Sequence, residues 1–165
     1  MASERFVAAL TEQIAREFAA AHQYVAIGNY YAAETYPQLS LFFYSQAEEE
    51  REHAMKMVNY LIDRGVQPDI GGVESPKGSF GDHVEPIRLA LEQERQVTIK
   101  ISELFEIARE TRDYASEQFM QWFLEEQVEE EAAMGDLLAV AERSVAVPML
   151  LEEYLARDKP GARPE

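Results

Sequence analysis

The sequence predicts an all-α fold: a four-helix bundle with one long crossover loop between the second and third helices, and a short C-terminal fifth helix. Apolar residues recur at helical spacing in four stretches of about 28 residues, each about 40 Å long as a helix. Glycine and proline are concentrated in the breaks between these stretches. One break is much longer than the others, which indicates a crossover.

The first two helices are predicted from a periodic pattern that stops at identifiable residues. Residues 4–34 form the first periodic stretch, and the pair Tyr36-Pro37 interrupts it. Proline disfavours helix at the preceding residue, so a new helix is expected to begin there. The second stretch covers residues 37–64, and Gly65 is expected to end it as a C-terminal glycine.

The second half of the chain begins with residues 65–83, which are rich in glycine and proline and have no period. Nineteen residues can span at most ~60 Å, enough to run the length of the bundle. We therefore expect the second and third helices to be parallel. Residues 84–112 and 113–143 form the third and fourth stretches, with Asp113 as N-cap. Residues 148–157 begin with proline and predict about three helical turns.

Composition excludes several classes of function. The chain has 165 residues, a net charge of −16 and no cysteine, which excludes thiolate metal sites, Fe–S clusters and disulfides. It has no basic run to bind nucleic acid or an anionic membrane, and no apolar run of the ~18 residues that a membrane span needs. The N-terminal residues do not resemble a signal peptide, so a cytoplasmic location is expected. One domain, residues 1–158, and a flexible tail, 159–165, are predicted.

The inward-facing seam of each predicted helix is mostly apolar, yet each is interrupted near its middle by a carboxylate. Two further polar residues lie one turn away on the same faces, at i, i+3 spacing. The six residues are Glu17 in the first helix, Glu50 and His53 in the second, Glu94 in the third, and Gln127 and Glu130 in the fourth.

Metal ions are the simplest way to accommodate such a layer. Buried carboxylates repel one another, and the seams contain no lysine or arginine to neutralise them. Four carboxylates would balance two divalent cations, and a set dominated by oxygen ligands with one imidazole suits iron or manganese. Each residue also has an ordinary interpretation: a single glutamate can reach solvent, and a lone inward histidine is more often hydrogen-bonded in the core.

These residues resemble the ferritins, specifically the haem-free bacterial type, over about residues 5–157. The resemblance is carried by Glu17 with Tyr24, by Glu50-Arg-Glu-His53, by Glu94, by Gln127-Val-Glu-Glu130, and by the stretch from Gln118 to Gln127. It implies a hollow homo-oligomeric shell of 24 subunits. In such a shell, Fe(II) is oxidised by dioxygen and stored as ferric oxyhydroxide mineral.

The resemblance also implies a di-iron ferroxidase centre inside each subunit. Glu17, Glu50 and His53 would hold one iron. Glu50 would bridge to a second iron, which Glu94 and Glu130 would hold.

Three neighbours of this centre have implied roles. Gln127 would lie beside the site and orient a ligand or a dioxygen-derived species. Tyr24 would donate a hydrogen bond and an electron, or be an ordinary core tyrosine. Trp122 would be another electron source, or only pack.

Two groups of acidic residues outside the centre are candidates for further roles in iron binding. Glu49, Glu126 and Glu129 match a third iron site in bacterial ferritins, and the alternative is a solvated helix face. Asp113 and Glu117, at the start of the fourth helix, are candidate linings of an iron entry channel.

Departures from related families narrow the prediction. Bacterioferritins have a haem-ligating methionine where this chain has Arg51, and a histidine in the fourth helix where it has Glu130; haem is therefore not expected. DNA-protecting relatives often carry a lysine-rich tail, which is absent here. Two alternatives remain open: a di-iron peroxidase or oxygenase of the same fold, and a non-catalytic helical assembly with a hydrogen-bonded polar layer.

Overall fold

The computed structural model describes residues 3–158 and 160–161, and within them it contains five helices. Their bounds are α1 Glu4–Ala33, α2 Pro37–Asp63, α3 Glu85–Glu110, α4 Tyr114–Arg143 and α5 Met149–Arg157. The predicted helices and the long break before α3 are confirmed to within a few residues.

Helix ends follow the predicted signals in most places. The Asp113 side chain accepts a hydrogen bond from the Ser116 amide at 3.3 Å and so caps α4. Gly65, two residues after α2 ends, has φ 78°, as a C-terminal glycine does. The turns between α1 and α2 and between α3 and α4 have no glycine at the corresponding position. There Thr35 and Arg112 adopt φ 65° and 55°. This left-handed region is uncommon for residues other than glycine, so neither residue type predicts it.

Contacts between helix ends establish the topology. Arg5 near the start of α1 pairs with Glu110 at the end of α3, and Tyr31 near the end of α1 donates to the His83 carbonyl just before α3. These contacts make α1 and α3 antiparallel. Because a tight turn also makes α1 and α2 antiparallel, α2 and α3 are parallel, as predicted.

A buried glutamine of α1 also attaches the crossover to that helix. The Gln23 amide donates to the Lys77 carbonyl at 2.8 Å, and its oxygen accepts from the Lys77 amide at 2.9 Å. The side chain thus satisfies both backbone groups of Lys77, as a paired strand would.

Helix α5 packs on the start of α2 through a buried carboxylate. Glu152 accepts hydrogen bonds from the Gln38 and Leu39 amides at 2.8 and 2.9 Å. The first turn of α2 lacks a side-chain cap from its own N-cap residue, and Glu152 supplies one. A carboxylate at a helix N-terminus is also favoured by the helix dipole.

The apolar core is divided into two clusters. The α5-end cluster contains Tyr24, Tyr31 and Phe43 together with Leu151 of α5. The far-end cluster contains the residues around Phe6, Leu61 and Phe123. Within residues 3–158 and 160–161, no helix is both long and apolar enough to cross a membrane.

The predicted tail, residues 159–165, is described only at 160–161. There the Gly161 amide donates to Asp136 on α4 at 3.2 Å. The other tail residues lie outside the described part of the chain, and the predicted flexibility stays a prediction.

Candidate metal centre

A layer of four carboxylates, one from each long helix, lies between the two apolar clusters. We call Glu17, Glu50, Glu94 and Glu130 the carboxylate layer; each is at most 6% exposed. His53 and Gln127 are buried beside them. The structure therefore brings together all six residues at which the seams were interrupted.

Three of these residues converge tightly enough to hold one metal ion. Glu17, Glu50 and His53 each offer a ligand atom, and these atoms lie within 4.8 Å of one another. His53 Nδ1 is 3.3 Å from Glu50 Oε2 and 4.0 Å from Glu17 Oε2. Glu17 Oε2 is buried and has no hydrogen-bond partner. An unpartnered buried oxygen is costly, and a bound cation would satisfy it.

Glu94 is arranged differently, because both of its oxygens already accept hydrogen bonds. Tyr24 donates its hydroxyl hydrogen to Oε1, and Gln127 donates to Oε2 at 3.2 Å. The Gln127 amide nitrogen also lies 3.3 Å from the Thr98 hydroxyl, which in turn is 2.6 Å from Glu131. The predicted hydrogen bond from Tyr24 to the site is present, and its partner is Glu94.

A second group shares His53 with the first. His53, Glu126 and Glu130 offer ligand atoms within 4.8 Å of one another, and His53 Nε2 lies 4.0 Å from Glu126 Oε2. The two ring nitrogens thus face different carboxylates.

This second group borders a groove of about 960 Å³ between α2, α4 and α5, whose wall includes Glu49, Glu126, Glu129 and Glu130. Glu49 and Glu129 are exposed, and Glu126 is half-buried. The predicted third site is therefore an acidic patch open to solvent, and only Glu126 joins a tight ligand group.

Burial and mutual repulsion make the layer hard to ionise without cations. Burial, followed by the charge of Glu17, raises the pKa of Glu50 well above its ordinary value. Burial also raises the pKa of Glu94, against hydrogen bonds from Tyr24 and Gln127 that lower it. Burial and the charges of nearby carboxylates raise the pKa of Glu130 to about 9. No lysine or arginine is among the buried side chains of the described residues, so these carboxylates lack a buried cationic partner.

Sequence reasoning assigned no role to two glutamines that support the carboxylates. Gln13 is fully buried and donates to Glu17 Oε1 at 2.7 Å. Gln46 donates to Glu49 Oε2 at 3.0 Å. Both precede a glutamate by three or four residues on one helix, a spacing at which side chains meet, and that spacing was the available signal.

Trp122 lies against the site but is not itself a ligand. Its ring meets the His53 ring edge to face, with centroids 5.5 Å apart. On the Trp122 face, the Lys56 ammonium lies 3.1 Å from the ring centroid. The contact with His53 places Trp122 within reach of the centre, as expected, and it serves packing as well.

The two proposed channel residues are already paired with cations of the same chain. Asp113 accepts from Arg64 at 3.2 Å through both oxygens. Glu117 lies 3.1 Å from Arg109. An iron channel at this place stays a prediction, and it would have to compete with these two ion pairs.

The ligand chemistry and the fold together define a class of protein. Carboxylates and one histidine, buried without cationic partners in the middle of a four-helix bundle, are suited to hard divalent metal ions. The two ligand groups, which share His53, contain four carboxylates, and Glu94 adds a fifth. The fold is a four-helix bundle, and its buried carboxylates and histidine form groups that could hold metal ions.

Comparison with known proteins identifies the family. The ferritin-like domain matches residues 7–144. Ferritin BfrB of Mycobacterium tuberculosis (strain ATCC 35801 / TMC 107 / Erdman) is 48% identical over 154 residues, which is 93% of this chain and 85% of that protein. A bacterial non-heme ferritin of Staphylococcus aureus (strain MRSA252) is 43% identical over 132 residues, 80% of each chain. The chain belongs to the ferritin family.

A solved structure supports the same conclusion. An open pore ferritin from the hyperthermophilic archaeon Archaeoglobus fulgidus superposes with a TM-score of 0.89 at 31% identity, covering 96% of this chain and all of that one. The predicted fold class and the resemblance to ferritins are both confirmed.

Proposed function

We propose that this iron-storage protein oxidises Fe(II) with dioxygen at the carboxylate layer and stores the product as ferric oxyhydroxide mineral inside a shell of its own copies. Membership of the ferritin family supports iron storage. The observation that carries the oxidation step is the buried set Glu17, Glu50 and His53, in which one carboxylate oxygen has no partner.

The residues have separate tasks toward the iron substrate. Glu17, Glu50 and His53 bind one Fe(II), and Glu50 reaches a second that Glu94 and Glu130 bind. A shared carboxylate keeps two ions ~3.5–4 Å apart in two-metal sites. Hard oxygen ligands favour Fe(III) over Fe(II), so oxidation becomes more favourable at this site. Two Fe(II) ions lose one electron each, and one dioxygen accepts both electrons with two protons, which reduces it to the level of hydrogen peroxide.

The surrounding residues prepare the second binding position. Tyr24 and Gln127 hold Glu94 through both oxygens, and each oxygen keeps a further lone pair for a metal ion. Tyr24 is then a hydrogen-bond donor to the site and a source of an electron. Gln127 orients a ligand or dioxygen-derived species, and Trp122, against His53, is a second electron source.

The acidic groove gives the product a way out of the bundle. Glu126 and Glu130 line it together with the exposed Glu49 and Glu129. A third iron would bind in this patch between the buried centre and the storage cavity. The fifth helix would pack at a symmetry axis of a shell of about 24 subunits, the number that the resemblance implies. A cytoplasmic location and the absence of haem remain expectations from the sequence.

Loading apo protein with Fe(II) in air tests this function. We expect rapid oxidation followed by electron-dense cores in hollow particles, seen by electron microscopy. Oxidation without cores would contradict storage and favour a di-iron peroxidase or oxygenase. Failure to bind divalent metal in the bundle would favour a hydrogen-bonded polar layer without catalysis.

A further inference from the structure

We propose that Gln13 is a positioning residue for the first metal ion: its amide holds Glu17 so that a single carboxylate oxygen, Oε2, faces Glu50 and His53. This inference rests on the proposed metal-binding function of the carboxylate layer. Gln13 would not contact the metal ion itself, and it would act only by positioning Glu17.

The Gln13 side chain is fixed in one orientation. It is fully buried, and its Nε2 donates to Glu17 Oε1 at 2.7 Å. Its Oε1 lies 3.5 Å from Arg16 Nη1 on the same helix, and Arg16 is itself paired with Glu12 at 3.2 Å. Since an ionised carboxylate only accepts, the 2.7 Å contact places the amide nitrogen toward Glu17, and the amide oxygen then lies toward Arg16.

The two carboxylate oxygens of Glu17 therefore have different roles. Oε1 is occupied by Gln13, whereas Oε2 is buried and has no hydrogen-bond partner. Oε2 is also the atom that lies 4.0 Å from His53 Nδ1. Glu17 therefore offers one oxygen to the metal position, with its side-chain direction set before any ion arrives.

The contrast with Glu94 shows what this arrangement achieves. Both Glu94 oxygens accept hydrogen bonds, so each has one lone pair fewer for a metal ion. Glu17 Oε2 accepts no hydrogen bond from Gln13 or any other fixed donor of the described residues. Partners that orient a ligand typically contribute 10–100-fold to metal affinity or activity, so we expect Gln13 to act on the first ion and not on the second.

The test is an anaerobic Co(II) titration of the assembled apo protein, followed by calorimetry and visible absorption. Gln13→Met keeps length and removes the donor. Gln121→Met is the matched control, because Gln121 makes the same i, i+4 contact with Glu125 at 3.4 Å on an exposed face. A variant with Glu50→Ala and His53→Ala gives the background from sites elsewhere. If Gln13→Met does not fold, Gln13→Asn is used instead, since it keeps a buried amide but is one methylene shorter.

We expect Gln13→Met to weaken the first Co(II) about 10–100-fold, with a changed absorption spectrum, and to leave the second ion and the control unaffected. Binding identical to wild type, or equal weakening of both ions, would overturn the role of Gln13, because packing alone would then explain its burial. If wild-type protein binds no more Co(II) than the Glu50→Ala, His53→Ala background, the proposed function fails instead.

Discussion

The carboxylate layer and the two apolar clusters occupy the same bundle core, yet they follow opposite physical rules. The clusters bury aromatic and aliphatic side chains such as Phe43 and Leu61 completely, and this burial stabilises the fold. The layer buries Glu17, Glu50 and Glu94 almost as completely, and this burial costs free energy unless cations are present. The two apolar clusters therefore stabilise the bundle on either side of the layer, and the layer between them costs stability until it binds metal.

The largest expected effect comes from removing ligands in the layer. In the Glu50→Ala, His53→Ala variant we expect rapid Fe(II) oxidation to fall by more than the ~100-fold upper range for an outer partner. Stopped-flow absorbance in air measures it. Phe43→Leu in the α5-end cluster is the control and should oxidise iron at nearly the wild-type rate. Unchanged kinetics in the double variant would refute the assignment.

The two regions should also differ in stability of the apo protein. Phe43→Ala should cost roughly 3–5 kcal/mol of unfolding free energy, because it leaves a cavity. Glu130→Gln should cost nothing or raise the unfolding midpoint near neutral pH, because it removes a buried acid that burial and neighbouring carboxylates oppose. Thermal unfolding at fixed protein concentration compares them. A large loss for Glu130→Gln would mean that the layer stabilises the fold.

The stability of the apo protein should depend on pH through the same layer. The pKa of Glu130 is about 9 in the folded chain, against an ordinary 4.5, and those of Glu50 and Glu94 are raised as well. The folded state therefore holds more protons than the unfolded state, and stability should fall as pH rises from about 5 to about 9.

Unfolding midpoints across this pH range measure the effect, and Glu130→Gln should flatten the curve. Asp82, Glu85 and Asp113 have lowered pKa values, so their contributions are lost at more acidic pH. Stability that rises with pH over the same window would contradict the prediction.

The smallest effects on stability are expected at helix ends outside both the carboxylate layer and the apolar clusters. Asp113→Ala removes the N-cap of α4 and a partner of Arg64, and should cost about 1 kcal/mol. Arg5→Ala breaks an exposed ion pair with Glu110 and should cost no more than ~0.5 kcal/mol. Thermal unfolding compares the two variants. Equal losses of stability would show that the Asp113 cap contributes no more than an exposed ion pair.

The regular features of this fold could be predicted because their signals are local. Helix period, Pro37, Gly65 and the Asp113 cap act within a few residues. The carboxylate layer was predicted because four seams are interrupted at matching heights. The tight turns at Thr35 and Arg112 gave no signal, since neither residue is typical of a left-handed conformation.

Contacts between distant parts of the chain could not be predicted in this way. The hydrogen bonds from Gln38 and Leu39 to Glu152, and the pairing of Gln23 with Lys77, depend on how helices and crossover are placed in space. No periodicity specifies such a placement. The orientation of Gln13 toward Glu17 is an intermediate case, because its spacing was visible but its burial was not.

The most direct test of the central claim is to locate metal in the layer. Crystals of the protein soaked anaerobically with Fe(II) should give two anomalous-scattering peaks at the iron edge. One should lie among Glu17, Glu50 and His53, and the other among Glu50, Glu94 and Glu130. Peaks confined to the exposed acidic surface, with none inside the bundle, would contradict the account.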